Sequence, residues 1–203
     1  MNTQTKNTQS KLNPKDAHKL LVDGNLRFSQ NLKANRNLKD QVKDTSLGQF
    51  PFAAILSCID SRVPAELIFD LGIGDIFSVR IAGNIINEDI LGSLEYSCKV
   101  SGAKIVVVLG HSNCGAVTAA CQNVELGNIT NLLNKIKPVI ERSNYEFFDT
   151  NAIESVAQDN VHWSIDRIRK ESHILAKMEK DGEIEIVGAY YDLTNGLVSF
   201  YEY

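Results

Sequence analysis

Apolar residues recur along this chain with two different periods. Ala17, Leu20, Leu21, Phe28 and Leu32 follow Asn13-Pro14 at helical spacing. Proline suits the first helical position, where its missing N–H would have no partner anyway. Over residues 52–59 the pattern becomes a continuous apolar run, FAAILSCI, and similar runs fill 76–81 and 105–109. Runs without polar alternation predict strands covered on both faces, and helical patterns at 64–71 and 90–100 separate them. Two further helices are expected at 115–124 and 129–141, the second with Pro138 as a possible kink. A loop is expected at 143–150, and 152–179 reads as two helices meeting near Lys170–Ser172. The chain closes on two strand patterns around Thr194-Asn195-Gly196, a strong hairpin signal.

These elements predict an α/β fold, with about four parallel strands plus an antiparallel extension, flanked by helices and preceded by an N-terminal helical arm. Residues 1–12 lack apolar periodicity and are expected to be a disordered tail, and 13–203 a single domain. With 203 residues and 43% hydrophobic content, the chain can bury a sizeable core. A net charge of −4 argues against a nucleic-acid partner. No apolar run reaches the roughly 18–20 residues of a membrane span. The polar start, MNTQTKNTQSK, lacks the apolar stretch of a secretory signal, so a cytoplasmic protein is expected.

In a reducing compartment, four cysteines read as metal ligands, catalytic thiols or small core residues rather than a disulfide framework. Cys58 ends the first predicted strand within Cys58-Ile59-Asp60-Ser61-Arg62, and His111 and Cys114 end the third within Gly110-His111-Ser112-Asn113-Cys114-Gly115. Carboxyl ends of strands are where open α/β sheets gather ligands, so the two motifs can converge. Two thiolates and one imidazole suit zinc, and three protein ligands leave a fourth position for water or substrate. Cys98 and Cys121 lie in helical patterns without such neighbours and read as core. Arg62 can hold Asp60 bidentately and keep it ionised and off the metal, free to orient a zinc-bound hydroxide; the alternative is a structural strand-to-helix salt bridge. Two thiolates cancel the charge of Zn²⁺, so bound water is acidified less than the value of about 7 reached with three histidines. Activity is therefore expected to rise through mildly alkaline pH. A pH–rate profile that stays flat from about pH 6 to 9 would contradict this charge argument.

C-x-D-S-R followed by G-H-x-x-C-G resembles the β-class carbonic anhydrases. The resemblance extends to Gly24-Asn25-x-Arg27-Phe28, to Val79-Arg80-Ile81-Ala82-Gly83-Asn84, to Gly92-Ser93-Leu94-Glu95-Tyr96, to Asn160-Val161, Arg169 and Ser172, and to Val187-Gly188-Ala189-Tyr190-Tyr191-Asp192. It implies reversible hydration of carbon dioxide to bicarbonate, with one zinc per chain on Cys58, His111 and Cys114 and with Asp60 and Arg62 as the orienting pair. It further implies Gln49 as a substrate contact reaching across a subunit boundary. Phe77, Ala82 and Tyr96 would form the carbon dioxide pocket, and Gly115 would face the site with its backbone amide. From the residues alone, Gln49 reads as a loop residue and Phe77 and Tyr96 as core. The resemblance implies a homodimer, or a tetramer made of two dimers. Ile55 stands where some members carry a tryptophan beside an allosteric bicarbonate, which points to the non-allosteric type. Hydrolysis of carbonyl sulfide or carbon disulfide on the same ligands is an alternative activity, and a non-catalytic zinc-binding protein is a further one.

Overall fold

The computed structural model describes residues 2–143 and 149–201. A helical turn, α1 (Lys6–Gln9), precedes α2 (Pro14–Ser29) and α3 (Leu38–Asp44). Next come β1 (Ala53–Ser57), α4 (Ala65–Ile68), β2 (Ile76–Arg80), a 3₁₀ turn (Ala82–Asn84), α5 (Glu88–Glu95), a π-helical turn (Tyr96–Val100) and β3 (Ile105–His111). Helices α6 (Gly115–Cys121), α7 (Gly127–Leu133), α8 (Lys137–Arg142), α9 (Thr150–Glu171) and α10 (His173–Lys180) lead to β4 (Glu185–Tyr191) and β5 (Val198–Phe200). Most of the loop expected at 143–150 lies outside the described residues, and its last residue, Thr150, already opens α9.

The strands form one sheet in the order β2-β1-β3-β4-β5, with β1 to β4 parallel and β5 antiparallel to β4. Alternate strand residues feed two opposite cores. Ala54, Leu56, Val106, Val108 and Ile186 pack under α5, α9 and α10. Ile55, Ile105, Val107 and Val187 pack under α2 and α4. Both faces are covered, which is why β1 and β3 read as unbroken apolar runs. Strand β2 departs from that expectation. It lies at the edge of the sheet with only half-buried and exposed residues, because strand order left its outer flank uncovered.

The N-terminal motif Gly24-Asn25-x-Arg27 docks α2 onto this frame. A Cβ at Gly24 would lie 2.0 Å from the carbonyl oxygen of Phe69, so only glycine permits the close approach. Asn25 donates to the carbonyls of Ile68 and Gly196 and accepts from the Val198 N–H, tying α2 to α4 and to the terminal hairpin at once. Arg27 reaches the buried Asp70, which also receives Arg36.

Residues expected as a disordered tail lie against the body here. Thr3 donates to the Ile73 carbonyl, the Gln4 N–H reaches Asp75, and the buried Gln9 amide donates to the carbonyls of Pro51 and Ser101. Specific polar contacts do this work, and they leave no hydrophobic period in the sequence. Helix α3 has the same origin: it shows only Leu38 and Val42 as apolar positions, both exposed, and starts on the Asn37 side chain.

Candidate metal centre

The chain runs from β1 to β2 on one side of the sheet and returns to place β3 on the other side of β1. Such a reversal opens a crevice at the carboxyl ends of the two central strands. Cys58 follows β1 and His111 ends β3, so both arrive at that crevice. Cys114 follows after a turn through Asn113, whose φ of 53° lies in the left-handed region that asparagine tolerates.

The thiols of Cys58 and Cys114 and a ring nitrogen of His111 all lie within 4.8 Å of one another, and the three residues are buried. Among the described residues no other set of histidine, cysteine and carboxylate groups gathers this closely. The two Sγ atoms are 4.0 Å apart, near the edge of about 3.8 Å in a tetrahedron with 2.3 Å zinc–sulfur bonds. His111 Nδ1 lies 2.9 Å from the Ser112 carbonyl, which can only accept, so the ring proton sits on Nδ1. Nε2 is left as a buried lone pair with no protein partner. A soft, borderline donor set with an unsatisfied imidazole nitrogen fits zinc.

Without a cation the two thiols share charge unequally. The Cys114 S–H lowers Cys58, burial opposes it, and the backbone N–H groups of Gly83 and of Asp60 lower Cys58 further. Cys114 is pushed up by donating to Cys58 and by its own burial. A divalent cation between them would ionise both. By contrast, burial alone pushes Cys98 up to about 12 and Cys121 up to about 11, in keeping with core thiols.

Asp60 and Arg62 form a bidentate pair, with Arg62 Nε 2.9 Å from Oδ1 and Nη2 2.7 Å from Oδ2. The Arg62 backbone N–H also donates to Oδ1. Arg62 holds the Asp60 carboxyl down at about 2, against the opposing effect of partial burial. Asp60 lies outside the close group of the two thiols and the imidazole.

The remaining residues fall apart into separate places. Phe77 and Tyr96 meet edge-on, ring centroids 6.2 Å apart, and line a groove of about 760 Å³ beside the edge strand β2. Tyr96 is 52% exposed and therefore no core residue in this chain. Ala82 opens the 3₁₀ turn and is half-buried, outside that groove. Gln49 is exposed in the segment between α3 and β1 and does not line the groove either. Gly115 begins α6, where an added Cβ would meet nothing within 4 Å.

Arg80 had no reading of its own in the sequence beyond its place in a motif. Its Nε donates to the Cys58 carbonyl at 3.0 Å and its Nη2 to the Asp60 carbonyl at 2.6 Å, so an edge-strand side chain grips the loop that carries both. Two residues past that strand's continuation, the Gly83 N–H points at Cys58 Sγ, 3.4 Å away. Asn160 and Ser164 on α9 hold the carbonyls of Gly83 and Asn84. Such partners are legible only once strands and helices are placed.

The sequence profile of the family described as "Carbonic anhydrase" matches residues 53–198 of this chain. The chain belongs to the β-class carbonic anhydrases. The match spans β1 to β4 and both candidate ligand motifs, and ends at the first residue of β5. "Carbonic anhydrase 2" of Mycobacterium tuberculosis is 34% identical over 190 residues, covering 91% of each chain. The fold is shared with the β-carbonic anhydrase CafA of Aspergillus fumigatus, at a TM-score of 0.74, 27% identity and 81% coverage of both chains. It is shared as well with a tetrameric β-carbonic anhydrase of Sordaria macrospora, at a TM-score of 0.69 and 22% identity, covering 80% of this chain and 89% of that one. Among the described residues of this carbonic anhydrase family member, no helix is long and apolar enough to cross a membrane.

Proposed function

We propose that this chain catalyses the reversible hydration of carbon dioxide on one zinc ion held by Cys58, His111 and Cys114. The observation that carries the reading is the buried convergence of these three donors with Asp60 held away from them by Arg62. Bound there, zinc would supply Lewis acidity that makes a water nucleophilic at mildly alkaline pH. The chain's own residues do the rest. His111 keeps its proton on Nδ1 against the Ser112 carbonyl and offers Nε2. The Asp60 carboxylate accepts a proton-mediated bond from the attacking water and fixes the direction of its lone pair. Because its folded value is lowered to about 2, Asp60 is ionised from about pH 4 upward, and its ion pair is lost only as pH falls through that lowered value. The alkaline rise in activity expected above therefore does not come from Asp60.

A second copy of the chain completes the site in this reading. Strand β2 presents the half-buried Phe77 and Val79 at an open edge beside the exposed Tyr96, and the N-terminal segments expose Val22, Leu26, Val42 and Leu47 as well. Exposed apolar side chains and an open strand edge suit a partner surface, and a homodimer would bring Gln49 of one copy towards the pocket of the other. The tetramer described for the Sordaria relative suggests pairing of such dimers. Four free cysteines fit a reducing, cytoplasmic setting.

Stopped-flow hydration of carbon dioxide near pH 8.5, on protein of measured zinc content, tests the reading. Rapid hydration at one zinc per chain supports it. Full zinc with negligible hydration sinks it and directs the assay to carbonyl sulfide and carbon disulfide. Asp60→Asn should retain zinc and lose about 10–100-fold in kcat/KM, the usual cost of removing an outer-shell partner. Loss of zinc from that variant would instead make Asp60 a ligand.

A further inference from the structure

One carboxylate near the metal centre has no part in the account above. Glu154 lies in the second turn of α9, half-buried, and each of its oxygens is engaged. Oε1 accepts the backbone N–H of Asn113 at 2.6 Å, and Oε2 accepts the phenol O–H of Tyr190 at 2.5 Å. Asn113 is the left-handed residue of the turn between His111 and Cys114. Its carbonyl is approached from the other side by Arg62 Nη2 at 3.3 Å. The backbone of the residue between the two ligand positions is thus gripped at its N–H and at its carbonyl by side chains 41 and 51 positions away in sequence.

Tyr190 fixes the far oxygen of Glu154. It lies on β4 opposite Gly110, one residue before His111. Burial and the neighbouring Glu154 push its phenol up, so it stays a proton donor to the carboxylate. A carboxylate is costly to remove from water unless its oxygens are hydrogen-bonded, and here both receive short, charge-assisted bonds. The same helix anchors the opposite lip of the crevice, where Asn160 holds the Gly83 carbonyl. Helix α9 therefore reaches the His111–Cys114 turn directly and Cys58 by way of Gly83, whose N–H points at the Cys58 sulfur.

We propose that Glu154 is a positioning residue of the metal centre: through the Asn113 N–H it fixes the His111–Cys114 turn and so the relative aim of Nε2 and Sγ, with Tyr190 holding the carboxylate in place. The inference rests on the zinc reading of the site. Glu154 touches neither metal nor substrate and acts only through the backbone it holds.

Zinc affinity, measured by competition with a chromophoric chelator, and the visible spectrum of the cobalt(II)-substituted protein test this. Glu154→Ala should weaken zinc binding about 10–100-fold and change the cobalt spectrum. Glu154→Gln keeps an acceptor oxygen for Asn113 and turns its amide to the Tyr190 oxygen, so it should restore affinity and spectrum to near those of the unsubstituted chain. Tyr190→Phe, which keeps the ring and its packing, should weaken zinc in the same direction by less, and it decides the matter if Glu154→Ala does not fold. Unchanged affinity and spectrum in Glu154→Ala or, failing that, in Tyr190→Phe would overturn the proposal. So would a Gln variant as weak as the Ala variant, since the charge rather than the held turn would then matter. An unsubstituted chain that binds no zinc would remove both this inference and the reading beneath it.

Discussion

Cys114→Ser is expected to purify with little zinc and to lose more than about 100-fold in carbon dioxide hydration, beyond the 10–100-fold range typical of outer-shell losses. Serine removes the soft, ionisable donor while nearly preserving size, so the fold around it is disturbed little. Cys114 lies in an apolar shell with Ile85, Val117 and Ile136, where a hydroxyl has no cation-matching charge to offer. The remaining donors, Cys58 and His111, leave two positions open instead of one, and a divalent ion is then held weakly. Metal analysis and stopped-flow rates on the same sample check this. Cys121→Ser is the matched control: it removes a second buried thiol of the same cluster with no donor near it, and zinc should stay bound. Equal zinc in Cys114→Ser and the unsubstituted chain would sink the ligand assignment.

The largest effect on stability is expected at Asp70. Its side chain is 4% exposed, and Arg36 beside it is 7% exposed. Oδ1 accepts from Arg36 and Oδ2 from Arg27, each at 2.6 Å, and Oδ2 also accepts the Ala34 N–H. Arg36 further donates to the Asp70 carbonyl. Asp70→Ala strands a buried guanidinium without its counter-charge and should cost about 3–5 kcal/mol. The backbone adds to this, since Asp70 has a φ of 46°, which aspartate and asparagine tolerate better than alanine. Asp70→Asn keeps that backbone and isolates the lost charge. Burial pushes the Asp70 carboxyl up, but Arg27, the Ala34 N–H and Arg36 together leave it below its ordinary value. The pair's stabilisation is thus complete above about pH 4, the ordinary carboxylate value, and fades as pH falls through the lowered folded one. Urea unfolding should show the gap between unsubstituted and Asp70→Ala chains narrowing below about pH 4. A gap that is constant with pH would assign the loss to backbone strain instead.

Both predictions concern residues of very different visibility. Cys58, His111 and Cys114 are legible because ligand types sit where apolar runs stop, and apolar runs mark strands whose carboxyl ends share one edge. Asp60 and Arg62 are legible because two residues of separation lets a bidentate pair close within one loop. Asp70 gave no sign, since its partners at 27 and 36 lie in another helix and in an extended segment. Arg80 was visible only as a motif letter, and Glu154 and Tyr190 were not visible as site residues at all.

The sequence by itself determined the alternation of strands and helices, the three residues that gather as a group able to hold a metal, and the terminal hairpin around Asn195-Gly196. These follow from local rules: the period of apolar positions, the chemistry of donor atoms and the backbone freedom of glycine, which at Gly196 takes a φ of 77°. Only the tertiary structure decided that β2 is the open edge, that Thr3, Gln4 and Gln9 hold the N-terminal segment to the body, and which distant side chains hold the candidate ligand loops. Strand order and helix docking are set by the summed burial of both sheet faces, to which each residue contributes without recording its neighbour. Hydrogen bonds spanning tens of residues, such as Asn160 to Gly83, exist only after that burial has brought their ends together.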